Sequence, residues 1–189
     1  MNGGLFMEDT FHQLYEKYHH DLFQFLFYMV KSREQAEDLV QEVYIRVLKS
    51  YDRFEGRSSE KTWLISIARH VAIDWFRKQK TIRQRILERF EWDQHQIEDD
   101  GQPLPEEVAI QNEQVQWIYR ALNACSIDQR AVIILRYIQE MSITETADVL
   151  GWSVSKVKTT QHRAIKQLQK QMINLTEKEG LSIEKTGVE

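Results

Sequence analysis

An all-α chain is predicted by three features of the sequence. Good helix formers (Glu, Gln, Lys, Arg, Leu, Ile) are abundant. Seven glycines and two prolines leave little turn chemistry for a many-stranded sandwich or barrel. Apolar residues recur at steps of three and four over long stretches. The 189 residues give room for one ordinary domain or two small ones. The predicted organisation is two small helical units, 8–90 and 108–175, joined by a flexible acidic linker, 91–107, and followed by a disordered tail, 176–189.

In the first unit, Leu14, Tyr18, Leu22, Phe25, Leu26 and Met29 mark one buried helix face. Ser32 with Gln35 is read as a capping box opening a second helix, whose inner stripe is Ala36, Leu39, Val40, Val43, Val47 and Leu48. A turn over 51–59 follows, with Gly56 in it. A third helix repeats Trp63, Leu64, Ile67, Ala68, Val71, Ala72, Trp75 and Phe76, and its other face carries Arg69, His70, Asp74, Arg77 and Lys78. Such a core suits a compact bundle of three or four helices. The four-residue spacing makes Trp63, Trp75 and Phe76 core residues first and base-stacking candidates second.

Residues 91–107 show no sustained periodicity and hold a glycine and both prolines, so they read as linker. Fully extended, they reach about 55 Å at roughly 3.3 Å per residue. Pro105 at a first helical position, followed by Glu106 and Glu107 at the positive end of the dipole, starts the second unit. Ser126 with Gln129 and Ser142 with Glu145 are further capping boxes, giving helices near 106–123, 127–139, 143–150 and 154–173.

The net charge of −4 conceals an uneven distribution. Residues 91–113 hold eight acidic and no basic residues; 69–89 hold seven basic against two acidic; 151–172 hold five basic and none acidic. Two basic patches flank an acidic strip. The lone Cys125 excludes an internal disulfide or a multi-cysteine zinc site, which fits a bacterial cytoplasm. The longest apolar run, 22–30, is too short for a membrane span, and no signal peptide precedes it. There is no Walker loop, no nucleophile elbow and no catalytic cysteine context. Glu16 with His19 has metal-ligand spacing but lacks the second pair and the further carboxylates a di-iron bundle needs. No catalytic residue, metal, cofactor or small-molecule substrate is therefore expected.

Ala147, Gly151 and Val157 fall where a helix-turn-helix needs a small residue, a turn glycine and a buried apolar residue. Taken alone that pattern is moderately specific. The following helix adds Lys156, Lys158, Thr159, Thr160, His162, Arg163 and Lys166, donors for phosphates and base edges with no carboxylate among them. A merely solvated face would mix both signs.

Three strings, AEDLVQEVYIRV at 36–47, FEGRSSEKTWLISIARHVAIDWFRK at 54–78 and SITETADVLGWSVSKVKTTQHRAIKQL at 142–168, resemble the extracytoplasmic-function (ECF) sigma factors of bacterial RNA polymerase, most nearly the SigX type. The resemblance runs from about residue 8 to 174; the first six residues precede the usual start of that family, which makes Met7 an alternative initiator. It implies a non-catalytic polymerase subunit of two domains, sigma region 2 and sigma region 4. The expected partners are the polymerase core, through its clamp coiled coil and flap, promoter DNA and a membrane-anchored anti-sigma factor.

Carried onto these positions, the resemblance implies that Asp38, Gln41, Glu42 and Ile45 meet the clamp. Gly56, Arg57, Ser58, Ser59, Lys61 and Trp63 would open and read the minus-ten element, with Arg69, His70, Asp74, Arg77 and Lys78 holding the non-template strand and the duplex edge. Asp74, an acid among these bases, is expected to orient a neighbouring base or Arg. Lys158, Thr159, His162 and Arg163 would contact the minus-thirty-five element, beside Thr160 and with Lys156 and Lys166 on phosphate. Lys158 departs from the arginine common in the family and cannot fork onto guanine. The linker would thread the polymerase channel as a nucleic-acid mimic, or serve only as a tether. Two competitors remain open from the residues alone: a free-standing helix-turn-helix regulator whose first unit senses a ligand or dimerises, and a small helical enzyme.

Overall fold

The computed structural model describes residues 3–89 and 113–178, and every regular element among them is helical. The first unit is built from α1 (Gly3–Val30), α2 (Arg33–Ser50) and α3 (Glu60–Arg89), with one tight turn at Tyr51–Arg53. The second is built from α4 (Glu113–Ala121), α5 (Ile127–Ile133), α6 (Ile143–Leu150) and α7 (Val154–Lys178). The predicted linker, the Pro105 helix start and the chain beyond residue 178 lie outside the described residues.

The apolar stripes read from the sequence form the interior: Leu22, Phe25, Leu26 and Met29 of α1 meet Val43 and Val47 of α2 and Leu64, Ala68 and Ala72 of α3, all essentially without solvent contact. Burying each such side chain contributes roughly 1.5–3 kcal/mol, so these rows decide the packing. Leu48 is a correction. Val47 lies over the interior, and Leu48, turned about 100° from it, falls beyond the edge of the buried face and stays 46% exposed beside Phe11 and Tyr51.

The capping boxes at Ser126/Gln129 and Ser142/Glu145 are complete, each hydroxyl accepting from the backbone three residues on and each Gln or Glu reaching back. At Ser32 only half of the box forms. Its hydroxyl accepts from the Gln35 amide at 3.4 Å, while the Gln35 side chain accepts instead from Trp75 Nε1 on α3 at 3.0 Å. A tertiary partner has outbid the local one.

Two helices differ from their expected extents. The helix expected over 127–139 is α-helical only to Ile133; Ile134–Ile138 then form a wide, five-residue-repeat turn that closes with the Gln139 amide on the Ile134 carbonyl at 2.9 Å. The last helix continues to Lys178, so residues 176–178 extend α7 and are not part of a disordered tail. The first helix of the second unit is described from Glu113 and tightens at Leu122–Ala124.

The two units pack directly on one another: α6 lies on α3, α5 and its wide turn lie on α1, and one continuous core includes Phe27, Ile65, Leu135, Ala147 and Leu150. Polar contacts line this seam. Arg130 Nη1 donates to the Met29 carbonyl at 2.6 Å, and Tyr119 OH to the Lys31 carbonyl at 3.2 Å. Buried Gln139 donates to the Asp21 carbonyl and the Gln24 side chain, both at 3.1 Å, and its own carbonyl accepts from Lys61. Two non-glycine residues with positive φ, Lys31 and Glu140, also sit here, one ending α1 and the other directly after Gln139.

Candidate nucleic-acid interface

The helix-turn-helix is assembled by local rules. Gly151 closes α6 in the left-handed conformation (φ 63°, ψ 36°), and the amide of Trp152 reaches back to the Ala147 carbonyl at 3.0 Å, satisfying the last turn. The Ser153 hydroxyl accepts from the Lys156 amide at 3.2 Å and opens α7. Val157 and Ala164, seven residues apart, are fully buried. That anchoring turns Lys156, Lys158, Thr159, His162, Arg163 and Lys166 to solvent, with Thr160 half-buried at their margin. Lys156 Nζ lies 3.8 Å from the Trp152 ring centre, which pins that cation beside the turn. Thr159 Oγ1 donates to the Ser155 carbonyl at 3.0 Å, so the donors the face offers are its lysines, Arg163 and His162.

Of the residues expected at minus ten, the structure brings some together and gives others a structural task. Gly56 (φ 67°) turns the exposed loop, where Arg57 pairs with Glu55 at 2.5 Å and Ser58 is half-buried. Ser59 caps α3, accepting from the Thr62 amide at 3.1 Å, with the two hydroxyls 2.9 Å apart. Lys61 pairs with Asp21 at 3.2 Å on the seam. Trp63 is half-buried against Phe54, ring centres 4.8 Å apart, and Tyr51. Further along α3, Arg69 is half-buried, His70 Nδ1 lies 2.7 Å from the Ser66 carbonyl, and Arg77 and Lys78 are exposed.

Asp74 does not stand free to meet a base. Its Oδ2 accepts both terminal nitrogens of Arg46 at 3.2 Å, and its Oδ1 accepts from Arg77. Burial acts to raise its pKa; the hydrogen bonds from Arg46 and Arg77 outweigh it and hold the carboxyl below its ordinary value. On α2, Asp38 and Gln41 are exposed, Glu42 is partly so and Ile45 is 46% exposed, giving a mixed acidic and apolar strip on the outer face. Glu42 is not bare either: Arg46 Nε donates to it at 2.8 Å.

Sequence reasoning missed Arg46, which joins the strip on α2 to the basic face of α3. It also missed the contact of Gln161 Nε2 with Tyr137 OH at 2.8 Å, which ties the recognition helix to the wide turn. The Glu42/Arg46 spacing of four was a visible signal; the Asp74 partner, 28 residues on, was not.

Two helical units, the second presenting a cationic helix-turn-helix, define a DNA-binding protein of sigma-factor architecture. Residues 14–82 match the family description "Sigma-70 region 2" and residues 115–168 match "Sigma-70, region 4". Over 171 residues the chain is 67% identical to the ECF RNA polymerase sigma factor SigX of Bacillus subtilis (strain 168), covering 90% of this chain and 88% of that one. It is 33% identical to the RNA polymerase sigma factor YlaC of the same organism, covering 90% and 96%. Among solved structures it resembles the sigma factor RpoE in complex with the anti-sigma factor NepR from Bartonella quintana, with TM-score 0.67, 28% identity and coverage of 86% of this chain and 96% of that chain. The chain belongs to the ECF sigma factors, and it acts as a promoter-recognising sigma factor of RNA polymerase. Among the described residues no helix is long and apolar enough to cross a membrane.

Proposed function

We propose that the chain works in the cytoplasm as a non-catalytic subunit that docks on the polymerase clamp through Asp38, Gln41, Glu42 and Ile45. The loop Gly56–Ser58, exposed at Gly56 and Arg57, and the outer face of α3, with Trp63, Arg69, His70, Arg77 and Lys78, engage the minus-ten region. The exposed face of α7 engages the minus-thirty-five element, and region 4 meets the flap. Ser59 and Lys61 act by shaping the α3 start and the seam; Asp74 acts by holding arginines. A membrane-anchored anti-sigma factor restrains the chain, and a stress or cell-envelope regulon is its output.

The observation that carries this reading is the face of α7: Lys156, Lys158, His162, Arg163 and Lys166 all exposed, and no acid from Gly151 to Met172. Run-off transcription with purified core polymerase and a promoter library tests it. Specific transcripts should appear only when the chain is added. A specific footprint obtained without core, on a palindromic site, would instead make it a free-standing regulator.

A further inference from the structure

Four side chains of alternating charge run from α2 to α3. Glu42 Oε1 accepts from Arg46 Nε at 2.8 Å; Arg46 passes both Nη atoms to Asp74 Oδ2 at 3.2 Å; Asp74 Oδ1 accepts from Arg77. The two ends face different tasks: Glu42 lies on the strip assigned to the clamp, and Arg77 lies on the face assigned to DNA. The middle pair is the more covered, Asp74 and Arg46 showing side-chain exposures of 32% and 36% against 73% for Arg77. The α2–α3 contact is fixed nearby by the bond from Trp75 to Gln35, and the Ser50 hydroxyl donates to the Arg46 carbonyl at 2.7 Å. Arg46 therefore sits on a braced backbone with its planar fork divided between two carboxylates, a geometry a lysine cannot supply.

We propose that Arg46 is a positioning residue that relays the state of Glu42 to Arg77. While Glu42 is unengaged, Arg46 is shared, and Asp74 keeps enough free charge to tether Arg77. A clamp cation that takes Glu42 leaves Arg46 wholly to Asp74, which loosens its hold on Arg77 and frees that guanidinium for a backbone phosphate. Core binding thereby strengthens the strand contact of the same subunit, and by linkage strand binding strengthens core binding. The relay rests on the clamp and minus-ten assignments of Glu42 and Arg77.

The test uses the full chain and a fluorescein-labelled, randomised single-stranded DNA 20-mer, since a phosphate contact carries no sequence requirement. Anisotropy titrations are run from low to moderate salt. Glu42→Gln mimics an engaged Glu42. It should raise affinity roughly twofold to threefold, the size of an exposed ion pair. It should also steepen the dependence of log K on log salt by about 0.7, one added phosphate contact. Glu37→Gln removes the same charge from α2 at a residue whose partner is Arg33, and it sets the baseline for charge alone. In an Arg46→Lys or Asp74→Asn background the Glu42→Gln increment should fall to that baseline; if Arg46→Lys does not fold, Asp74→Asn carries the comparison. An increment equal to that of Glu37→Gln, or one surviving in both backgrounds, overturns the relay while leaving Arg77 on DNA. If Arg77→Ala binds the pool as the parent chain does, the assignment of Arg77 is overturned, and the relay with it.

Discussion

At the residue scale, conformation and protonation set different limits. Gly151 holds the helix-turn-helix corner at φ 63°, and a Cβ built there meets nothing within 4 Å. Substitution to alanine therefore costs backbone strain alone, about 1–2 kcal/mol. Urea unfolding of Gly151→Ala should show that loss without a change in slope; unchanged stability would mean the corner tolerates a side chain. Glu145 makes the opposite kind of demand. The Ser142 hydroxyl and amide hold its carboxylate below the ordinary glutamate range. A depressed folded-state pKa gives stability that is complete above the unfolded value and disappears as pH falls through the folded one. The Ser142 box should thus weaken in acid. Glu145→Gln keeps the acceptor and drops the charge, so its stability deficit against the parent chain should shrink as pH falls from 7 towards 3. A deficit constant across that range would remove the charge from the account.

At the element scale, what the sequence disclosed was what local chemistry decides. The period of apolar residues placed α1, α2 and α3, and the serine caps placed α5 and α6, because a cap acts within three residues of itself. The face of α7 was legible for the same reason: once Val157 is inside, the 3.6 repeat turns Lys156, Lys158, His162 and Arg163 outward. The wide turn at Ile134–Ile138 was not legible. Its inserted residue leaves Tyr137 54% exposed and Gln139 buried, and the partners that favour this, Asp21, Gln24 and Lys61, are remote in sequence. The Arg46 partner of Asp74 was illegible for the same reason, since it comes from α2, 28 residues away. Val157 is the hinge of the DNA-reading element. Removing its two buried methyl groups should cost about 2 kcal/mol at roughly 0.8 kcal/mol per buried carbon. The loss should appear in thermal unfolding of Val157→Ala together with weaker minus-thirty-five protection in a footprint with core polymerase. Full protection at reduced stability would show that α7 keeps its orientation without this anchor.

At the scale of the whole molecule, the described arrangement and the promoter are different sizes. Elements named for positions 10 and 35 are about 25 base pairs apart, or about 85 Å at 3.4 Å per pair. Here α6 packs on α3 and α7 packs on α6. Neighbouring helix axes lie about 8–10 Å apart, so the recognition helix is within roughly 20 Å of α3 where the three stack. The two basic faces cannot reach both elements from this arrangement, and the units must part. Parting breaks the bonds of Gln139, including the one from Lys61 onto its carbonyl, and the Arg130 bond to Met29, and it exposes apolar residues of the shared core. Polymerase and promoter contacts have to offset that cost. Dyes at exposed Asp52→Cys and Lys170→Cys, in a Cys125→Ser background, make the change measurable by energy transfer. Transfer should fall when core polymerase and promoter DNA are added. It should also fall, partially and without polymerase, when Arg130→Met and Gln139→Ala weaken the seam, because those residues satisfy the Met29 and Asp21 carbonyls across it. Transfer unchanged on forming the promoter complex would mean that the closed arrangement reads DNA as it stands, and the distance argument would fail.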